Sequence, residues 1–416
     1  MGSMIYLSLG RLELDWGKNS GFTDHSALFQ STDVSPVPYY YASDEDDEIG
    51  VENSSKIVVE YKEGLSKPLK HVIDRIDLLG YTVDNCKREF LYLSELNNFN
   101  PEEFTFDNLR LGLSDIDINI ISCKYGSGYE GFGEFFKRFI YPKIFTSPHQ
   151  EQSGYIDSGF CQAMENLSSY SILRLLAENN FAAGLPVVWA FKDLEEGGWG
   201  KREFFLKSLD RADKFLIVTE GSSDARILKH AFQLLKPHIS DFFEYVDMEE
   251  GYPFTGTGSL VNFVKGLISI SIMNNVVVVF DNDAEGVTGF NRCQELNVPS
   301  NMRVIHLPKM EDFTNFRTLG PNGHNRENIN GSGVAIECYL DVGGEACVRW
   351  KEYKQSIDRY QGALIDKNNY KRSFLSQRMK CDGYDYSKIE CVLDAIISKC
   401  KEIKENIVLN EFEDDI

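Results

Sequence analysis

The chain has 416 residues and a formal net charge of −21, with 64 Asp and Glu against 43 Lys and Arg. That length allows two or three domains with a sizeable core. No run approaches the roughly 18 apolar residues of a membrane helix, so no spanning segment is expected. The acidity weighs against a free-standing nucleic-acid binder that works by phosphate neutralisation. It leaves a solvated acidic surface on one side, and locally gathered basic residues or a basic partner chain on the other. The nine cysteines are scattered, without C-x-x-C spacing. They are read as reduced thiols of a cytoplasmic protein, not a disulfide frame or zinc site.

Residues 4–16 alternate apolar and polar at Leu12, Leu14 and Trp16, which predicts a strand or hairpin. The exit at 17–21 is turn-rich but is no P-loop: the first glycine is misplaced, and no Ser or Thr directly follows Lys18. The acidic run 44–48 is read as a solvated loop. Residues 61–96 are expected to be mostly helical, interrupted near Gly80 and capped by Asp84. A strand is expected at 116–123, and a helix within 160–179. Lys18, His25, Lys67, Lys70 and His71 are read as solvated surface more readily than as a recognition patch. The glycines of 193–201 mark a linker. The expected division is therefore an N-terminal domain over 1–195, a second domain over 205–345 and a helical extension over 346–416 with a disordered acidic tail.

From Phe215 the pattern becomes strand then helix, repeated. Strands are expected at 215–219, 243–248, 276–280 and 302–307, with helices at 222–235, 259–270 and 284–296. Ser259 is placed to cap the second of these helices. Alternating strands and helices predict an α/β fold with a mostly parallel sheet flanked by helices, and a mixed α+β domain before it. The uninterrupted apolar run 276–280 fits a central strand covered on both faces.

Acids stand at the ends of two of these strands. Glu220 follows the first, with Gly221 in the turn and Asp224 one helical turn on; Asp281 and Asp283 follow the third. Functional groups of open parallel sheets gather at the carboxyl ends of strands. Two unit charges 4 Å apart cost about 1 kcal/mol in water and about 4 kcal/mol at an effective dielectric of 20. Converging acids therefore call for a cation, and an all-oxygen donor set suits Mg2+ or Mn2+. Such ions support phosphodiester cleavage or transfer. The turn at Gly256, Gly258 and Ser259 offers backbone amides to a phosphate, or is simply a helix start. An Asp-x-Asp alone also occurs in phosphatases, glycosyltransferases and receiver domains, but that reading leaves Glu220 unused.

Taken together, residues 215–224 and 276–286 resemble the Toprim domain of topoisomerases, primases and OLD-family nucleases. Glu220, Asp281 and Asp283 match its acidic pattern, and Asp224 is similar to the OLD-type branch. The resemblance covers roughly 210–345. It implies a compact Toprim-like fold and Mg2+-dependent cleavage of DNA or RNA. Glu220, Asp281 and Asp283 would be catalytic, with Asp224 and Glu337 completing the metal ligands and Lys367 or Lys371 near the scissile phosphate. The opening residues 9–19 resemble the HEPN/Toprim-associated N-terminal domain of suspected antiviral or toxin-like effectors. No Arg-x4–6-His pair suits a HEPN ribonuclease, because Arg317 and His324 flank a Gly/Pro-rich loop. An activating or inhibitory protein partner, such as an ATPase, and a homo-oligomer fit this reading. The alternative is a non-catalytic regulatory protein that docks a partner through its acidic surface.

Overall fold

The computed structural model describes residues 2–42, 57–97, 104–120, 130–144, 164–246, 256–355 and 358–414. The acidic run 44–48 lies outside them. The chain divides into two compact units, Met1–Leu209 with Val408–Ile416, and Asp210–Ile407. The division falls beyond the glycine-rich stretch expected as a linker, which instead holds a short helix, Lys192–Glu196.

The first unit is built on a six-stranded sheet. Its strands are β1 (Met4–Leu9), β2 (Leu12–Lys18), β3 (Val34–Ala42), β4 (Ile57–Pro68), β5 (Glu130–Gly131) and β6 (Pro186–Ala190), in the order β3-β4-β6-β1-β2-β5. The expected hairpin is present: β1 and β2 are antiparallel and turn at Gly10, whose φ of 58° suits glycine. Residues 61–68, expected to be helical, belong to β4; the β-branched residues Ile57, Val58 and Val59 before them extend the strand. Helices α1 (Leu69–Leu78), α2 (Val83–Leu96), α3 (Phe106–Ser114) and α4 (Ser169–Leu176) follow. The cap position of α2 is Thr82, and Asp84 sits in its first turn. At 116–123 the described part forms a single turn of tight helix, Ile118–Ile120, and no strand; residues 121–123 lie outside the described set.

Two buried charges pin this unit. Arg75 is fully buried and donates to the carbonyls of Ala27 and Phe29 at 2.9 and 3.0 Å. Glu89 accepts from the Ser168 amide at 2.6 Å and from the Ser171 hydroxyl. Two members of the supposed surface set are interior: His25 pairs with Asp15 at 2.7 Å, and Lys67 with Asp33 at 2.8 Å.

The second unit carries β7 (Phe215–Thr219), α5 (Ser222–Leu235), β8 (Phe243–Tyr245), α6 (Thr257–Ser269), β9 (Asn275–Phe280), β10 (Asn282–Asp283), α7 (Ala284–Gln294) and β11 (Met302–His306). The sheet order is β11-β9-β7-β8, and all three pairings are parallel. Every residue of β9 is buried, as its unbroken apolar run requires. Leu260, Val261 and Val264 of α6 and Cys293 of α7 pack with Val276, Val278 and Phe280 over one face of this sheet.

The stretch 346–416, expected to be a helical extension, opens with two strands. Strands β12 (Phe316–Gly320), β13 (Gly323–Glu327), β15 (Val348–Lys354) and β16 (Arg359–Leu364) form a second sheet, ordered β13-β12-β15-β16, while β14 (Gly333–Val334) pairs with β10. Arg317 and His324 stand on the β12–β13 hairpin, so neither is on a helix. Helices α8 (Lys367–Leu375) and α9 (Ser387–Asp414) close the chain, with α9 reaching into the segment expected to be a disordered tail. The helical reading failed between 348 and 364 because Trp350 and Tyr353 stand three residues apart among Lys and Glu, which suits a helix face. The bulge between Trp350 and Glu352 is what sets both rings in a strand.

Candidate active site

Parallel pairing of β7 with β9 sets Thr219 opposite Val279, so the acids after each strand emerge at the same edge. Glu220 is held on both oxygens: the Thr257 hydroxyl donates to one at 2.7 Å and the Asp281 amide to the other at 3.1 Å. Asp283 caps α7, accepting from the Gly286 amide at 2.8 Å, and its second oxygen accepts from the Gln361 side chain. Asp224 lies in the first turn of α5.

The β10–β14 pairing sets Asp283 opposite Gly333 and brings the short helix Ile336–Tyr339 to the same edge. Glu337 is buried on that helix, and the ammonium of Lys367 lies 3.8 Å from its carboxylate. Lys371, one turn on, donates to the Ser223 hydroxyl at 3.2 Å. The structure thus brings Glu220, Asp224, Asp281, Asp283, Glu337 and Lys367 to one end of the sheet.

Burial and crowding set their protonation. Asp224 is pushed up to about 7, first by burial and then by the charges of Glu337 and Glu220, with Lys367 opposing. Asp281 is raised well above the usual carboxylate range by burial, then by Asp224, Glu220, Asp283 and Glu337. Burial also raises Glu220 and Asp283; Thr257 and the Asp281 amide moderate the first, and the Gly286 amide and Gln361 the second. A cluster of this kind is stabilised by protons or by a cation.

The donor chemistry fits a hard divalent ion, but the oxygens do not form a closed cage. Among the described residues, no group of three or more His, Cys, Asp or Glu side chains is gathered tightly enough to hold a metal ion. The oxygens of Glu220 and Asp283 are instead engaged by the Thr257 hydroxyl, the Asp281 and Gly286 amides and the Gln361 side chain.

Gly256, Gly258 and Ser259 line a cleft of about 650 Å3 with Thr257, Lys265 and Arg292. Gly256 is the N-cap of α6, and its φ of 85° needs glycine. Ser259 is therefore inside the helix instead of capping it, and its amide donates to the Gly256 carbonyl at 3.1 Å.

Several site residues escaped the sequence reading. Asn282, between the two aspartates, is fully buried; its side-chain oxygen accepts from the Gly331 amide at 2.9 Å, which ties the 330s loop to the site. Gly286 lies so close to Asp281 that a Cβ would stand 2.2 Å from its carbonyl oxygen. Gly221, expected to enable a tight turn, has an extended φ of −148° that any residue adopts. Glycine spacing after Asp283 offered a signal for Gly286; nothing local marked Gln361.

The HEPN/Toprim N-terminal domain 1 family model matches residues 1–213, just over half of the chain. The chain belongs to that family. No curated protein and no solved structure matches it. The family match spans the first unit and ends at the start of the second, so it covers none of the carboxylate cluster. Membership points at a coarse level to a nucleic-acid-acting protein of nuclease-like or toxin- and defence-type function. Among the described residues, no helix is long and apolar enough to cross a membrane.

Proposed function

We propose that the second unit is a Toprim-type nuclease dependent on Mg2+ or Mn2+, and that the chain acts in the cytoplasm as a defence or toxin-like effector. The observation that carries this reading is the convergence of Glu220, Asp224, Asp281, Asp283 and Glu337 at one sheet edge, where burial raises the first four and repulsion between acids adds to the rise of Glu220, Asp224 and Asp281. Asp224, Asp281 and Glu337, together with Glu220 and Asp283, would hold the cation. When bound, it would supply Lewis acidity and an activated water to a phosphodiester.

The chain's own residues do the rest. Thr257 and the Asp281 amide orient Glu220, the α7 N-terminus orients Asp283, and Lys367 sets a positive charge beside the acids for a phosphate oxygen. The cleft at Gly256, Gly258 and Ser259, flanked by Lys265 and Arg292, has the charge to receive an adjacent phosphate. A protein partner such as an ATPase, or a second copy of the chain, would supply activation.

One observation favours a second reading: the acids form no closed cage in this structure. A regulatory protein that uses the Toprim-like unit as a scaffold fits that. Cleavage of plasmid, single-stranded DNA and tRNA, with divalent ion and with EDTA, separates the two. Metal-dependent cutting that Asp281→Ala/Asp283→Ala abolishes supports the nuclease; a double variant with full biological activity supports the scaffold.

A further inference from the structure

Residues 346–380 carry nine Lys and Arg against three Asp and Glu, an excess of six positive charges in a chain of net charge −21. The β15–β16 hairpin opens this stretch and interleaves cations with aromatic rings. Tyr353 pairs with Tyr360 across the two strands, and Trp350 lies opposite Gly362. A register shift between Trp350 and Glu352 makes Lys351 the extra residue of a bulge.

The three rings form a ladder. Centroids of Trp350 and Tyr360 lie 6.1 Å apart, and those of Tyr360 and Tyr353 5.1 Å. Its base is fixed, because the Trp350 indole donates to Glu327 at 2.7 Å. Its outer part is open: Tyr353 is 49% exposed and Tyr360 48%. Such rings give up apolar surface to water unless a partner covers them.

The cations divide between two tasks. Lys354 pairs with Glu285 and Glu352, and Arg359 donates to the Gly331 carbonyl at 3.2 Å, so both fasten the hairpin to the site. Arg349 and Lys351 are exposed. Among the described residues, neither has a carboxylate within ion-pair distance, although the chain is rich in acids. The hairpin also reaches the carboxylate cluster directly, through Gln361, which accepts from the Glu285 amide at 3.2 Å and donates to Asp283.

We propose that the β15–β16 hairpin is a binding arm for single-stranded nucleic acid, stacking bases on Tyr353 and Tyr360 and placing backbone phosphates on Arg349 and Lys351. Aromatic rings interleaved with cations recognise single strands because every base offers a π-face and every linkage a charge, whereas a duplex hides its base faces. The bond from Gln361 to Asp283 makes the arm continuous with the carboxylates. The use of bound strand as substrate rests on the nuclease reading; binding by the arm does not.

The test is fluorescence anisotropy of the full chain in EDTA, where cutting does not interfere, using a labelled mixed-sequence 20-mer as single-stranded DNA, single-stranded RNA and duplex. The expected result is binding of single strands about tenfold or more tighter than duplex. Tyr353→Ala/Tyr360→Ala should weaken single-strand binding by about tenfold to a hundredfold, and Tyr353→Phe/Tyr360→Phe should keep it near wild type. Arg349→Gln/Lys351→Gln should weaken it and flatten the log–log salt slope by about 1.4, for two phosphates on a single strand. Absence of wild-type binding overturns the proposal, as does equal loss in the Ala and Phe variants, or unchanged affinity in the Ala variant. Loss confined to the Ala variant in a protein that cuts nothing would keep the arm and reject the nuclease. Metal-dependent cutting with unaltered binding in the Ala variant would do the reverse.

Discussion

The Thr257 hydroxyl donates to Glu220 across 2.7 Å, joining the first turn of α6 to the acid at the end of β7. The contact orients a carboxylate that burial would otherwise leave without a donor on that oxygen. Thr257→Val keeps the shape and removes the donor. At pH 8 it should cost about 2 kcal/mol, the usual loss of a hydrogen bond to a charged group, measured by urea denaturation without metal. Because Thr257 holds the pKa of Glu220 down, the cost should shrink at pH 4, where the carboxyl is protonated.

Asp224 supplies the pH prediction. Its carboxyl titrates at about 7 in the fold, against about 3.9 in an unfolded chain. A raised acid contributes stability that is fully present below about pH 4 and is lost as pH rises through 7. Asp224→Asn should therefore stabilise the metal-free protein at pH 8 by up to about 4 kcal/mol and have little effect at pH 4. Thermal melts at the two pH values check this. A destabilised variant at pH 8 would place Asp224 in a favourable ion pair instead.

The two glycines should respond in opposite ways. Gly286→Ala drives a methyl into the backbone of Asp281 and should cost about 1–3 kcal/mol while displacing the aspartate. Gly221→Ala meets only the Asp224 carboxylate at 3.6 Å, with an extended backbone, and should change stability by no more than about 0.5 kcal/mol. Paired denaturation curves distinguish them.

What the sequence made legible was local. The apolar runs at 215–219 and 276–280 announce strands by themselves, and the acids after them need only the parallel pairing to meet. Lys367 and Glu337 were named through resemblance alone, because what brings them to the edge is the β10–β14 pairing and the start of α8, which no local periodicity encodes. Gln361 carries no charge and sits in no motif, so only the fold reveals its bond to Asp283. The basic, aromatic stretch at 348–360 was read only as part of a helical extension. Its meaning depended on a strand assignment that its Lys and Glu content obscured. In the first unit, His25 and Lys67 read as surface because their half-buried partners, Asp15 and Asp33, come from separate strand and turn segments.

Arg75 tests the first unit by itself. It is a fully buried guanidinium held by main-chain carbonyls. Arg75→Met fills the same volume without donors and leaves the Ala27 and Phe29 carbonyls without these bonds. It should cost about 3 kcal/mol, read as an earlier urea transition for the unit that contains it.

The most direct measurement of the central claim is cleavage by the purified chain of single-stranded DNA, plasmid and tRNA, in Mg2+, Mn2+ or EDTA, beside Asp281→Ala/Asp283→Ala checked for folding by circular dichroism. The predicted result is cutting that requires the divalent ion and falls at least about a hundredfold in the folded double variant. Cutting that persists in EDTA, or that the double variant performs as well as the wild type, would contradict a nuclease built on these carboxylates.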